Sequence, residues 1–130
     1  MKMKVMLALA LVVLCTTSAS AVQRLPLIED FTNDQCGPCD AIQDTMDAIF
    51  QGYRAQNKAA PFRPHVNWPS TCDPMYLGDI NDVETRISYY GVDAVPTFHV
   101  DGTLRARGYS TPTALYAQMR SWVDTRYTTP

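Results

Sequence analysis

The chain has 130 residues, 46% of them hydrophobic, and a formal net charge of −2 at pH 7. This length suits one domain with a hydrophobic core but is too short for two. Because the sequence has no basic stripe, it lacks the composition of a nucleic-acid-binding surface, and we expect no nucleic-acid partner.

The N-terminal residues have the three parts of a secretory signal peptide. Lys2 and Lys4 supply positive charge, residues 5–14 form an apolar run, and residues 19–21 read Ala-Ser-Ala, a small-residue cleavage pattern. This run is too short for a permanent membrane helix, which needs about 20 residues. We therefore predict cleavage after Ala21 and export to the periplasm or the cell exterior.

Cleavage would separate a signal peptide, residues 1–21, from a mature domain, residues 22–130, that has no membrane span. The domain loses two lysines, so its formal charge goes from −2 to −4. Two alternatives stay open. The first is a retained N-terminal anchor. The second is a lipid on Cys15, although Leu14 is larger than the residue that lipidation requires before the cysteine.

The predicted elements of the mature chain are a strand, helix, strand, helix, hairpin and helix. Apolar residues at three- and four-residue spacing indicate the helices, and an Asp-Gly pair between two β-rich runs indicates the hairpin. In chain order the elements are a strand at 25–31, a helix from Pro38, a strand at 61–68, an irregular stretch at 69–78, a helix at 82–90 capped by Gly91, strands at 96–100 and 103–107, and a helix that begins at Thr111 and Pro112. This order predicts an α/β fold, a central mixed β-sheet with helices on both faces.

Cys36 and Cys39 enclose only Gly37 and Pro38, in a pattern that suits redox chemistry better than stabilisation. A disulfide that closes so small a loop removes little entropy from the unfolded chain. At a helix start, by contrast, the positive helix end favours a thiolate at Cys36, and Pro38 fits the first turn. Gly37 leaves one side of Cys36 open to a substrate. Cys39, one turn on, is placed to resolve a mixed disulfide.

A metal site that uses the same two cysteines is the main alternative. Thiolates and imidazoles suit both copper and zinc, and Cys72, His65 and His99 are the candidates to complete such a site. The sequence has no second C-x-x-C or H-x₃-H spacing to support it. We interpret Cys72 as a thiol packed in a loop, with a regulatory or substrate-facing thiol as the alternative. Both histidines are interpreted as ordinary strand residues.

Two segments resemble the thioredoxin family. IEDFTNDQCGPC, residues 28–39, is similar to that family's active-site strand and helix start, and GVDAVPTFHVDG, residues 91–102, is similar to its later loop and hairpin. The resemblance covers nearly all of the mature chain. It implies a thioredoxin-like fold and a thiol-disulfide oxidoreductase that acts on protein or peptide substrates without a cofactor or metal.

The resemblance also implies a role for individual residues. Cys36 would attack the substrate, Cys39 would resolve the mixed disulfide, and the two would form the redox disulfide. Asp30 matches a buried carboxylate that moves a proton at the second cysteine. Pro96 matches a cis-proline beside the dithiol, and the Val95 backbone would pair with a bound peptide.

The sequence departs from the family pattern around the dithiol. Gln35 stands where thioredoxins usually have Trp, Asp40 stands where they often have Lys, and no lysine matches the partner of the buried carboxylate. Asp34 and Asp40 oppose ionisation of a neighbouring thiol, since like charges disfavour a second anion. The direction of electron flow therefore stays open.

The implied partners are thiols or disulfides of proteins or peptides and a separate electron donor or acceptor protein. We expect a monomer. A different class of function, an adhesion or assembly module that keeps the fold without turnover, also stays open, although the intact dithiol and Pro96 argue against it.

Overall fold

The computed structural model describes residues 23–129. The predicted signal peptide and Cys15 lie outside this range. Among the described helices, none combines the length and the apolar character that a bilayer crossing requires.

Four strands and five helices make up the described part of the chain. The strands are β1 Leu27–Phe31, β2 Ala60–Phe62, β3 Thr97–Val100 and β4 Leu104–Arg107, and the helices are α1 Gly37–Asp40, α2 Gln43–Ala55, α3 Pro74–Gly78, α4 Ile80–Tyr90 and α5 Pro112–Thr128. The strands form one sheet in the order β2-β1-β3-β4. β1 runs parallel to β2 and antiparallel to β3, and β3 and β4 are antiparallel, so the predicted mixed sheet is confirmed.

Local sequence rules explain the ends of several elements. Asp101 and Gly102 both have positive φ, 60° and 67°, as the central residues of a tight hairpin turn require, and Thr103 completes the three-residue connection between β3 and β4. The Thr111 side chain accepts a hydrogen bond from the Ala114 N–H at 3.1 Å and so caps α5. Gly91 ends α4 in the left-handed conformation, at φ 60°.

The sheet separates two hydrophobic clusters. Side chains alternate between the faces of a strand, so Ile28 and Asp30 point to one face of β1 and Glu29 and Phe31 to the other. The first face, here called the α2/α5 face, is covered by residues Ile42, Met46, Ile49, Phe50, Leu115, Met119 and Val123. The second, the α4 face, packs Phe31 with Val66, Tyr76, Val83 and Val92. Helices therefore cover both faces, as predicted.

The prediction for residues 61–68 was too long. β2 ends at Phe62, and beyond it only one bridge, Thr32 to His65, continues the pairing with the chain after β1. Pro64 explains the interruption, because proline has no N–H to donate to a ladder. The Pro64 carbonyl still accepts from the Thr32 N–H at 3.0 Å.

Helix boundaries also differ from the predictions. Residues 69–78, predicted to be irregular, contain α3, which forms because the Asp73 carboxylate accepts hydrogen bonds from the Met75 and Tyr76 N–H groups. α4 begins at Ile80, two residues earlier than predicted. The helix predicted from Pro38 is two helices, α1 and α2, separated by a turn.

Candidate active site

The dithiol lies at the start of α1, just beyond the end of β1. Cys36 and Cys39 form a disulfide, and their residues are only 4% and 7% exposed. The Cys36 sulfur caps the helix by accepting a hydrogen bond from the Cys39 N–H at 3.2 Å. In the reduced state the same donor would stabilise a thiolate at Cys36. Gly37 and Pro38, between the two cysteines, are exposed.

Asn33 holds the turn that leads into Cys36. Its side-chain nitrogen donates to the carbonyls of Val66 at 2.7 Å and Ser70 at 3.0 Å, while its side-chain oxygen accepts from the Gln35 N–H at 3.0 Å. The side chain is buried, so these bonds join the dithiol turn firmly to the 66–70 loop. Sequence reasoning did not identify Asn33, although Asn before a helix often bonds a backbone N–H two residues on.

Asp30 is buried on the α2/α5 face, where it pairs with Arg63. The residue is 4% exposed, and one of its oxygens accepts from the Arg63 Nε at 2.9 Å. Burial raises the pKa of Asp30 to about 6, while the Arg63 charge and hydrogen bond pull that pKa down. Arg63 also contacts Asp47 at 2.9 Å. The sequence has no lysine that matches the usual partner of the buried carboxylate, and in the structure Arg63 is the cation paired with Asp30.

A cavity of about 290 Å³ connects Asp30 with Cys39. Arg63, His65 and Met75 also line it. A water molecule occupies roughly 30 Å³ in the liquid, so the cavity is large enough to hold several. The buried carboxylate and the second cysteine thus share one polar space.

His65 also lines this cavity and is bonded to Asp73. Its Nδ1 lies 2.6 Å from an Asp73 oxygen, and the same carboxylate accepts backbone N–H bonds from Asp34, Met75 and Tyr76. Burial alone would raise the pKa of Asp73, but the hydrogen bonds from His65 and the backbone outweigh it and lower that pKa. Asp73 is therefore an ionised carboxylate inside the protein.

The predicted substrate-binding residues flank the start of β3. The Val95–Pro96 peptide bond is cis, as the resemblance implies. Thr97, the next residue, pairs with Phe31 at the end of β1, so Pro96 lies at the edge of the sheet from which the dithiol turn departs. The Gly108 N–H donates to the Pro96 carbonyl at 2.8 Å and fixes this segment against the chain after β4.

The other candidate ligands lie apart from this arrangement. His99 points to the α4 face, where it is 3% exposed and stacks on Tyr90 with ring centroids 4.3 Å apart. Cys72 is exposed, so the interpretation of a packed thiol was wrong. Between residues 23 and 129, no three His, Cys, Asp or Glu side chains are grouped so that they could hold a metal ion.

Comparison with known proteins identifies the fold. No protein-family profile matches the chain, and no curated protein matches it either. Among solved structures, the germline-specific thioredoxin Deadhead from Drosophila melanogaster matches at a TM-score of 0.50 and 20% identity, over 75% of this chain and 80% of that one. A mutant thioredoxin from Halobacterium salinarum NRC-1 matches at 0.50 and 24%, over 75% and 74%.

The chain has a thioredoxin fold. This confirms the predicted fold class and the resemblance on which it rested. At these identities the likeness concerns the fold alone. The chemistry of this thioredoxin-fold domain must therefore be argued from its own dithiol, its buried carboxylate and the groups around them.

Proposed function

We propose that this thioredoxin-fold protein is a thiol-disulfide oxidoreductase that exchanges disulfides with protein or peptide substrates. One observation carries the proposal. The Cys36–Cys39 disulfide begins a helix, and Cys39 shares a cavity with the buried carboxylate of Asp30. A disulfide that only stabilised the chain would need neither the helix N–H at its first sulfur nor a titratable group beside its second.

In the reducing direction, the Cys36 thiolate attacks one sulfur of a substrate disulfide. That bond breaks, a mixed disulfide forms on Cys36, and the other substrate sulfur leaves and takes a proton. Cys39 then gives its proton to Asp30 and attacks the Cys36 sulfur. The second substrate thiol is released, and the protein is left as the Cys36–Cys39 disulfide, two electrons having passed to the substrate. The oxidising direction is the reverse.

The roles of the two cysteines follow from their surroundings. Cys36 has the helix N–H that stabilises an attacking thiolate, and Gly37 and Pro38 beside it are exposed. Cys39 lines the cavity and has Asp30 to accept its proton. A carboxyl whose pKa is about 6 can both accept and release a proton near neutral pH, as general acid/base work requires.

Substrate binding is proposed at the Val95–Pro96 segment, where the Val95 backbone would pair with an extended peptide. Gly37 and Pro38 would form the adjoining wall. Asp34 and Asp40 are exposed beside the dithiol, so this surface favours substrates without acidic residues next to their cysteines. We further propose that the protein works after export, with a separate thiol or disulfide protein to restore its redox state.

Reduction of insulin disulfides, followed as turbidity in the presence of dithiothreitol, tests this function. We expect the wild type to accelerate precipitation and Cys36→Ser to reduce the rate to that of dithiothreitol alone. Cys72→Ser is the matched control, since Cys72 is also a cysteine but is exposed outside the dithiol. Full activity in Cys36→Ser would overturn the proposal.

A further inference from the structure

The His65 side chain shares a cavity with the buried carboxylate of Asp30 and is the more exposed of the two. Both side chains line the cavity that contains Cys39, but the Asp30 side chain is 5% exposed and that of His65 is 13% exposed. We propose that His65, oriented by Asp73, passes protons between the Asp30–Cys39 cavity and solvent during disulfide exchange. This inference rests on the proposed function and assigns a further residue to it.

Asp30 needs such a group because it is poorly placed to exchange protons by itself. It is 4% exposed, and one of its oxygens is held by the Arg63 Nε. A carboxyl that takes a proton from Cys39 must release it before the next cycle. The exposed Asp34 and Asp40 also line the cavity, but carboxylates in water hold a proton poorly at neutral pH, whereas imidazole gains and loses one between about pH 5 and 8.

The bond to Asp73 leaves the second nitrogen of His65 as the one that exchanges protons. Because Asp73 is ionised, it accepts a hydrogen bond, and the proton of a neutral His65 must be on Nδ1. Nε2 then has a free lone pair. The three backbone N–H groups on Asp73 fix that carboxylate, which in turn fixes the imidazole ring. A histidine held in one tautomer by a carboxylate is suited to general acid/base work.

The charges around His65 come from several elements. Asp73 supplies a negative charge and Arg63 a positive one. Asp30 on β1 and the exposed Asp34 and Asp40 complete the set of charged groups that line the cavity with it. A positive charge on His65 lowers the pKa of Asp30. Transfer of the proton from Asp30 to His65 is therefore favoured by the attraction between the two charges that result.

The proton step balances without any further reactant. As the Cys39 thiolate attacks the mixed disulfide, its proton forms an O–H bond on Asp30. That proton passes through cavity water to Nε2 of His65. The imidazolium then gives a proton to solvent or to the departing substrate thiolate. No electrons pass through His65, so its removal slows the exchange but leaves its end products unchanged.

The test uses His65→Gln and His65→Asn, both of which can donate to Asp73 but do not titrate. Cys36 adduct formation and release of the second substrate thiol are timed separately in single turnovers with a peptide disulfide, from pH 5 to 9. We expect release at pH 7 to slow about tenfold, less than the roughly hundredfold loss of a direct acid/base group, because cavity water supplies a slower route. Adduct formation should be unchanged.

Two further results distinguish proton transfer by His65 from a purely structural role of this residue. The pH dependence of release should flatten in the variants, and added imidazole should restore their rate without affecting the wild type. Wild-type rates and pH profiles in both variants, or loss of folding in both, would overturn the relay. Failure of the proposed function looks different, since the wild type itself would then form no adduct on Cys36.

Discussion

Two neighbouring carboxylates on β1 have similar surroundings, but we expect only one of them to take part in disulfide exchange. Asp30 and Glu29 point to opposite faces of the sheet, each is buried, and each pairs with an arginine from another part of the chain, Arg63 at 2.9 Å and Arg86 at 2.5 Å. Only Asp30 lines the cavity that contains Cys39. A buried ion pair is therefore not a functional signature in itself. What distinguishes Asp30 is the cavity that it shares with Cys39.

The α4 face shows the role of a buried carboxylate, Glu29, that lies outside this cavity. Arg86 joins Glu29 to α4 and lies 4.8 Å from the Phe62 ring centroid, and one Glu29 oxygen has no hydrogen-bond partner among the described residues. His99 packs nearby, opposite Glu29 in the β1–β3 register, with neither ring nitrogen hydrogen-bonded to a described residue. This face ties α4 to the sheet, so changes here should alter stability and leave the exchange chemistry intact.

The largest expected effect is on stability, from Glu29→Ala. Removing one partner of a buried ion pair leaves the other charge uncompensated, which typically costs about 3–5 kcal/mol. Because Arg86 is 31% exposed and regains some hydration, we expect about 3 kcal/mol, the low end of that range. Urea denaturation measures the loss, and insulin reduction per folded molecule should match the wild type. The double variant Glu29→Gln, Arg86→Met is the control and should recover much of the stability.

Asp30→Asn should have the opposite profile, with greater stability and slower exchange. The pKa of Asp30 is about 6 in the folded protein against 3.8 ordinarily, so the folded state binds the extra proton between those values. Stability is therefore lost as pH rises through that window, and the full penalty applies above pH 6. We expect a gain on the order of 2 kcal/mol at pH 7, partly offset by the unpaired Arg63, and none below about pH 4.

The kinetic half of that prediction concerns only the second step. In Asp30→Asn, release of the second substrate thiol should slow about 100-fold, since a direct proton acceptor is lost, while attack by Cys36 continues. Stopped-flow mixing with a peptide disulfide resolves the two steps. Equal slowing of both would assign Asp30 to the general electrostatics of the dithiol instead of to proton transfer at Cys39.

Arg63→Gln tests the same ion pair by changing the arginine and leaving the Asp30 carboxylate intact. Since Arg63 lowers the pKa of Asp30, its removal should raise that pKa further, and at pH 7 a larger share of Asp30 would be protonated and unable to accept from Cys39. Carboxyl titration by NMR should show the upward shift. Arg54→Gln, an exposed arginine on α2, is the matched control and should leave the titration of Asp30 unchanged.

The smallest expected effect is that of His99→Phe. Burial lowers the pKa of His99. Below pH 6.5 the unfolded chain therefore binds a proton at this residue that the folded chain does not, and the free energy of unfolding decreases as the pH is lowered. Phe should remove this acid-side slope and change stability at pH 7 by about 1 kcal/mol or less, because no hydrogen bond is lost. Denaturation at pH 5 and pH 7 measures both the pH dependence and the change in stability. An unchanged pH dependence in the variant would show that His99 is not its source.

Much of the fold could be predicted because local rules decide it. The Asp101–Gly102 turn, the Thr111 cap and the dithiol at a helix start depend on residues within a few positions of one another. The pattern of apolar residues likewise placed α2, α4 and α5. In these regions intrinsic preference and tertiary structure agree.

The parts of the site that escaped prediction depend on long-range register. Arg63 meets Asp30 because Phe62 pairs with Glu29 in parallel β-structure, and the ladder places the next residues side by side. His65 is bonded to Asp73, which also anchors the dithiol turn through the Asp34 N–H, and Asp73 is a helix cap within a stretch rich in turn residues. Nothing within a few positions of Arg63 or His65 reveals these partners. The sequence therefore indicated the dithiol and, by resemblance, Asp30, but not the places of Arg63 and His65 beside them.

The most direct test of disulfide exchange through Cys36 is to trap the mixed disulfide with Cys39→Ala and locate it. The variant is incubated with a peptide disulfide, digested under acidic conditions and analysed by mass spectrometry. We expect a stable adduct on Cys36, with Cys72 unmodified even though it is the exposed thiol. An adduct on Cys72 instead, or none on Cys36, would contradict the claim that this thioredoxin-fold protein exchanges disulfides through Cys36.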